Sequence, residues 1–314
     1  VYQKYSIMIA YKLREWVHAS MATNLEWTGE HEWHYLSHNP NAISYIQSLL
    51  ISQTDFAYDI IDWSCLSGNS NPEAIDLLED HLDQIDWYHL SYNPNAIELL
   101  LANPDRIDWD MISKNPAAIA IIESNMDHIS WYYLAKNPNA IDLLAANPDY
   151  INWFALCKNP NAIELLTANQ DQIYWQELSS NPNAIELLTA NQDKIDWQEL
   201  SLNPNAIELL EANQDKIDWQ ELSRNPNAMK LLEANQDKIY WTGLSANPNA
   251  MALLEANQDM IDWECMYGNP SIFTYDYEQL RATKADLHNS LIATLCHPDK
   301  VARYLETHGN LDEY

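Results

Sequence analysis

The residues best suited to chemistry are His31-Glu32-Trp33-His34 with His38. On a helix, His31, His34 and His38 would share one face, opposite Trp33 and Leu36, and three imidazoles there could hold a surface metal. The spacing is not that of a zinc protease, which needs two His four apart with Glu beside the first. A solvated polar face explains the same residues, so no metal site is expected. Asn213-x-Asp215-x-x-Asp218 and its copies offer oxygen ligands, but lack the glycine and bidentate Glu of a calcium loop. No Ser, His or Cys sits in a distinctive nucleophile motif, and five glycines leave little with which to build a phosphate cradle. No enzymatic activity and no cofactor are therefore expected. Cys65 and Cys265 each follow a Trp by two residues and are expected to be small buried hydrophobes.

These residues sit in a chain of 314 residues with 16 basic and 46 acidic side chains, a net charge of −30. Such a balance argues against direct nucleic-acid binding and against anionic membrane surfaces. The 13 Trp and 18 Tyr argue against a disordered acidic tail. No apolar run is long enough to span a membrane, the first residues show no signal-peptide pattern, and the four cysteines form no CxxC pair. A reducing, intracellular setting is expected.

What positions the side chains is an internal repeat. From Asn93 to Asn269 the pair Asn-Pro recurs every 22 residues, and Trp recurs with the same period from Trp87 to Trp263. Trp33 and Trp63 are earlier members, spaced 30 apart. Trp precedes Asn-Pro by six residues except at Trp63, where Gly68-Asn69-Ser70 reads as a two-residue insertion.

In Asn203–Arg224, Asn203 is suited to cap a helix that starts at Pro204 and presents Ala206, Ile207, Leu209 and Leu210 on one stripe. Asn213 is expected to end it in the left-handed conformation. Asp218-Trp219-Gln220-Glu221 reads as a capping box for a second helix, with weaker caps where the cap residue is Tyr174 or Tyr240. The residue before each Pro leaves helical angles, which ends that helix. The spacing thus predicts an all-α fold, an α-solenoid of stacked 22-residue helical hairpins with helical caps. One unit has too few apolar side chains to fold alone, so rows of Trp and Leu are expected to form a shared core, with recurrent Asn bonding to loop backbone. The expected organisation is a helical cap over 1–30, about eleven units over 31–270, and a helical cap over 271–314. The stack should be an open rod or gentle superhelix.

The positions that vary between units mark where a partner would bind. Tyr35, Tyr88, His89, Tyr92, Tyr132, Tyr133 and Phe154, with Lys114, Lys136 and Lys158, make one face of the first half aromatic and partly basic. In the second half the same positions become Gln-Glu pairs. Rigid aromatics suit protein binding.

The repeat Asn-Pro-Asn-Ala-Ile-x-Leu-Leu followed by Ile-Asp-Trp-x-x-Leu-Ser, together with Asn269-Pro270-Ser271-Ile272-Phe273, Tyr275-Asp276-Tyr277, His297-Pro298 and Tyr304-Leu305, resembles a family of repeat proteins encoded by giant DNA viruses. The resemblance covers about residues 33–314. It implies a viral protein made in a host cytoplasm, in either a virion-structural or a host-directed role; a rigid non-enzymatic scaffold for protein–protein interaction is expected from the solenoid itself, as a virion component ahead of a host-directed adaptor. An acidic polyanion mimic that captures a basic protein is the other reading.

Overall fold

The computed structural model describes residues 11–17, 30–51, 61–278 and 281. They form an all-α repeat fold with one small two-stranded sheet. Each regular unit is a Trp helix, a turn, a Leu helix and a 3-10 turn. The unit of Trp197 shows the plan: Trp197–Leu202, then Asn203-Pro204-Asn205, Ile207–Glu211 and Gln214–Lys216.

The units are joined through a buried asparagine. Asn203 Nδ2 donates to the carbonyls of Ser179 (3.1 Å) and Asn181 (2.8 Å) in the preceding unit, while its Oδ1 accepts from the Asn205 amide (3.0 Å). Asn205 adds a bond to Pro182 O at 2.9 Å. Serine makes a second ladder: Ser201 Oγ donates to Trp197 O (2.7 Å) and accepts from the Asp218 amide of the next unit (3.1 Å). Cys157 takes this serine's place in its unit, accepting from the Tyr174 amide.

The array is a closed ring, not the open rod expected. Asn39, in the first unit, donates to Tyr267 O and Asn269 O in the last, both at 3.1 Å. This is the same bond pair that every later ladder asparagine makes, so the eleven residues Asn39, Asn69, Asn93, Asn115, Asn137, Asn159, Asn181, Asn203, Asn225, Asn247 and Asn269 run around without an end. The first Trp helix, Glu30–His38, packs against both Trp63–Ser67 and Trp263–Tyr267. Strand β1 (Tyr11–Leu13) pairs antiparallel with β2 (Phe273–Tyr275) across the seam, and Arg14 holds Ser271 O (2.7 Å) and Ile272 O (2.9 Å). The described terminal residues thus supply a sheet that latches the ring, with 15–17, 277–278 and 281 helical; Ile7, Ile9, Trp27 and the rest of the expected terminal helices lie outside the described residues.

Several local expectations are corrected. Asn69, not Asn71, holds the ladder position, because Asn69-Ser70-Asn71 folds as the Asn-Pro-Asn turn, and the two extra residues fall just after it. The Leu helix starts at Ile207, after the turn, and Ala206 makes no side-chain cap. Asn213 is not left-handed (φ −135°, ψ 49°); it ends the helix by donating from Nδ2 to Leu209 O at 2.9 Å. The second cap is half a capping box: Asp218 accepts from the Glu221 amide, but its own amide goes to Ser201. Tyr174, Tyr240 and also Ser130 make no side-chain cap.

The core is Leu and Ala rather than Trp. Leu200, Ala206 and Leu210 and their counterparts are fully buried, whereas the indoles from Trp63 to Trp263 are half-buried at its edge. The 3-10 turn that closes the same unit covers several of them, nineteen residues on: Tyr150 stacks on Trp131 at 4.8 Å, and Lys194, Lys216 and Lys238 lie over Trp175, Trp197 and Trp219 at 4.4, 4.4 and 4.5 Å.

If the ring is closed, Asn39→Ala and Asn203→Ala will lower stability by similar amounts, about 2–4 kcal/mol, since each strands buried carbonyls. In an open array Asn39 would have no preceding unit and its loss would cost far less; urea unfolding of both variants decides. Tyr240→Asp supplies a missing cap and should raise stability by about 1 kcal/mol in the same measurement.

Candidate functional site

The tightest packing between units runs from Trp helix to Trp helix, as in Trp87–Tyr92 on Trp109–Lys114 and Trp197–Leu202 on Trp219–Arg224. A closed ring is shortest around its inside, so the Trp helices form the inner wall and the Leu helices the rim. Lys158 confirms the close spacing: its Nζ lies 2.9 Å from Glu177 in the next unit and 3.9 Å from Glu199 in the one after. Within a Trp helix, the third and fourth residues after Trp (Leu200 and Ser201) face the buried core. The first, second and fifth therefore share the opposite face, towards the ring axis. These are the variable positions.

The wall has two arcs. In the aromatic arc, Tyr88, Tyr132 and Phe154 are 47%, 37% and 42% exposed, enough to offer ring faces to a partner. Lys136 Nζ bonds the Tyr132 hydroxyl (2.8 Å) and sits 4.3 Å above that ring, which meets Tyr133 edge-on at 5.1 Å. Lys114 lies 5.5 Å from the Tyr92 ring. The second arc carries Glu177, Glu199 and Glu221; Lys158 meets the first two, and Arg224 pairs with Glu221 at 3.7 Å. The Glu177 bond, with both glutamate charges, raises the Lys158 ammonium pKa against the pull of burial.

The other expected partner-binding residues are already engaged. Tyr35 is half-buried at the seam, its hydroxyl 3.4 Å from Glu264. His89 contacts Ser64 Oγ (2.9 Å) and Asp86 (3.3 Å). Tyr92 is half-buried, and a Cβ at Gly68 in the preceding unit would collide with its hydroxyl. Tyr133 is half-buried beneath Tyr132. Among the described residues, five exposed rings lie outside the expected set: Tyr174, in contact with Phe154 at 5.4 Å, and Tyr150, Tyr240, Tyr275 and Tyr277. The cap position of Tyr174 and the nineteen-residue offset of Tyr150 were the signals available.

The histidine cluster also resolves differently. His38 is exposed and the His31 side chain lies outside the described residues. His34 turns to the next unit, its Nδ1 2.7 Å from Asp62 Oδ2 and 3.4 Å from Cys65 Sγ. Cys65 and Cys265 are partly exposed, not buried hydrophobes. Burial and the Asp62 carboxylate push the Cys65 thiol up to about 11, so it rests protonated. In the Asn213–Asp218 segment, Asn213 Nδ2 and Asp218 Oδ1 are committed to ending and starting helices.

Among the described residues no helix is long and apolar enough to cross a membrane. No known protein family matches the sequence, and comparison with curated proteins and with solved structures yields no match.

Asp86 gives a test of these inter-unit contacts. Burial works to raise its carboxyl, but the His89 amide, the Ser64 hydroxyl and the His89 ring outweigh it and hold it below the ordinary value. A depressed folded pKa contributes stability that is complete above the unfolded value, about 3.9, and lost as pH falls through the folded one. Asp86→Asn should therefore be less stable than the parent at neutral pH, with the gap closing on acidification below about pH 4; unfolding midpoints against pH read it out.

Proposed function

We propose that the protein is a non-enzymatic ring scaffold that binds a protein partner through the aromatic arc of its inner wall. The observation that carries this reading is the exposure of Tyr88, Tyr132 and Phe154 on one face of a rigid wall. Tyr and Phe held rigidly give contact area at low entropic cost, and rings accept Arg side chains face-on. The net charge of −30 draws a basic segment towards them. The likeness of the repeat to giant-virus proteins favours a structural component of a virus particle, made in the host cytoplasm, over a host-directed adaptor. A second reading rests on the net charge of −30: capture of a basic protein by charge alone, as a polyanion mimic.

Affinity capture from lysate, run in parallel with the parent and with Tyr132→Ala and Phe154→Ala, separates the two. An aromatic interface keeps its partner through salt washes and loses it by tenfold or more in either variant. Charge capture is insensitive to both substitutions and is released by salt, since exposed charges are screened within about 10 Å at 0.1 M. Mass spectrometry of purified particles tests the structural role; absence there rejects it.

A further inference from the structure

At the first two junctions three positions converge: the residue after Trp in one unit, and the cap and second post-Trp residues of the next. Most junctions carry unremarkable sets, such as Gln176 with Asp196 and Glu199, or Tyr132 with Asn152 and Ala155. The Ser64 junction has Asp86 and His89, with only a hydroxyl as third group. At the first junction all three are metal-ligand types, His34, Asp62 and Cys65, and their ligand atoms lie within 4.8 Å of one another.

We propose that His34, Asp62 and Cys65 form a zinc(II) site that bridges the first two units, with the fourth coordination position left to water. A mixed nitrogen, oxygen and sulfur set suits this ion. Tetrahedral zinc with ordinary bond lengths places such donors about 3.3–3.6 Å apart. The Cys65 Sγ to His34 Nδ1 separation, 3.4 Å, already matches. The His34–Asp62 pair, now hydrogen-bonded at 2.7 Å, has to open by roughly half an ångström. His34 has room to make that move, since its side chain is 53% exposed. Asp62 is pre-positioned because its other oxygen accepts the Cys65 amide at 2.9 Å. Binding displaces the thiol proton to solvent as the sulfur–zinc bond forms, so affinity rises with pH.

The test titrates the metal-free full chain with Zn²⁺ and, as a spectroscopic probe, Co²⁺. One equivalent of cobalt should bind with a sulfur-to-cobalt charge-transfer band, and zinc should displace it and raise the thermal midpoint. Cys65→Ser and His34→Ala should abolish the band or weaken binding at least tenfold, with circular dichroism reporting that each variant is folded. Cys265→Ser, at the equivalent position in the last unit, should leave the titration unchanged, as should His38→Ala. Three results overturn the proposal: no stoichiometric binding; binding without the sulfur band that survives Cys65→Ser but fails in His38→Ala, which assigns it to the helix-face histidine pair; or weak multi-site binding insensitive to every variant, which is cation screening by the acidic surface.

Discussion

The structure depends on a primary amide with no access to water. A ladder asparagine is about 0% exposed, so both its N–H groups and its carbonyl must find partners inside the protein. They do so on two carbonyls of the neighbouring unit and one amide of their own turn. This sets the distance between turns and leaves little freedom in how one unit sits on the next. Both irregular units obey it. The longer spacing between Asn39 and Asn69, and the extra Pro72-Glu73 before Ala74, place added residues outside the ladder while the amide bonds stay in register.

The fold class was legible because the signals were local and repeated: Asn-Pro every 22 residues, apolar stripes at helical spacing, and Asp before Trp, which does cap its helix wherever it occurs among the described residues. Ring closure was not legible. It depends on a small rotation between units summed over the whole array, which no single unit encodes in a readable form. The one available hint was Asn39 itself, an Asn-Pro residue with no Asn-Pro among the 38 residues before it. Trp is expected to share the core with Leu because both recur with the same period. The indole instead lies at the edge, where Lys, Tyr or His from the turn that ends the same unit can cover it, while the small Ala206 row lets the turns approach closely.

The candidate site was partly legible for the same reason. Variation between units draws attention to the first, second and fifth positions after Trp, which share one face, but exposure within those rows depends on the neighbour. Tyr88 and Tyr132 stay open, whereas Tyr35 meets Glu264 and Tyr92 fills the space that Gly68 leaves. The His34, Asp62 and Cys65 grouping spans two units of unequal length, so its spacing in sequence resembles no ligand motif.

Closure also bears on how such a gene can change. In an open stack a copied unit lengthens the product and leaves every older contact as it was. Here an added copy must widen the circle, altering the tilt at each joint and the bore that the inner side chains line. The near-identical stretch from 181 to 246 shows that copying has occurred. The tally of modules is thus itself under geometric constraint, and slippage that yields one too many or too few carries a mechanical penalty shared by all of them.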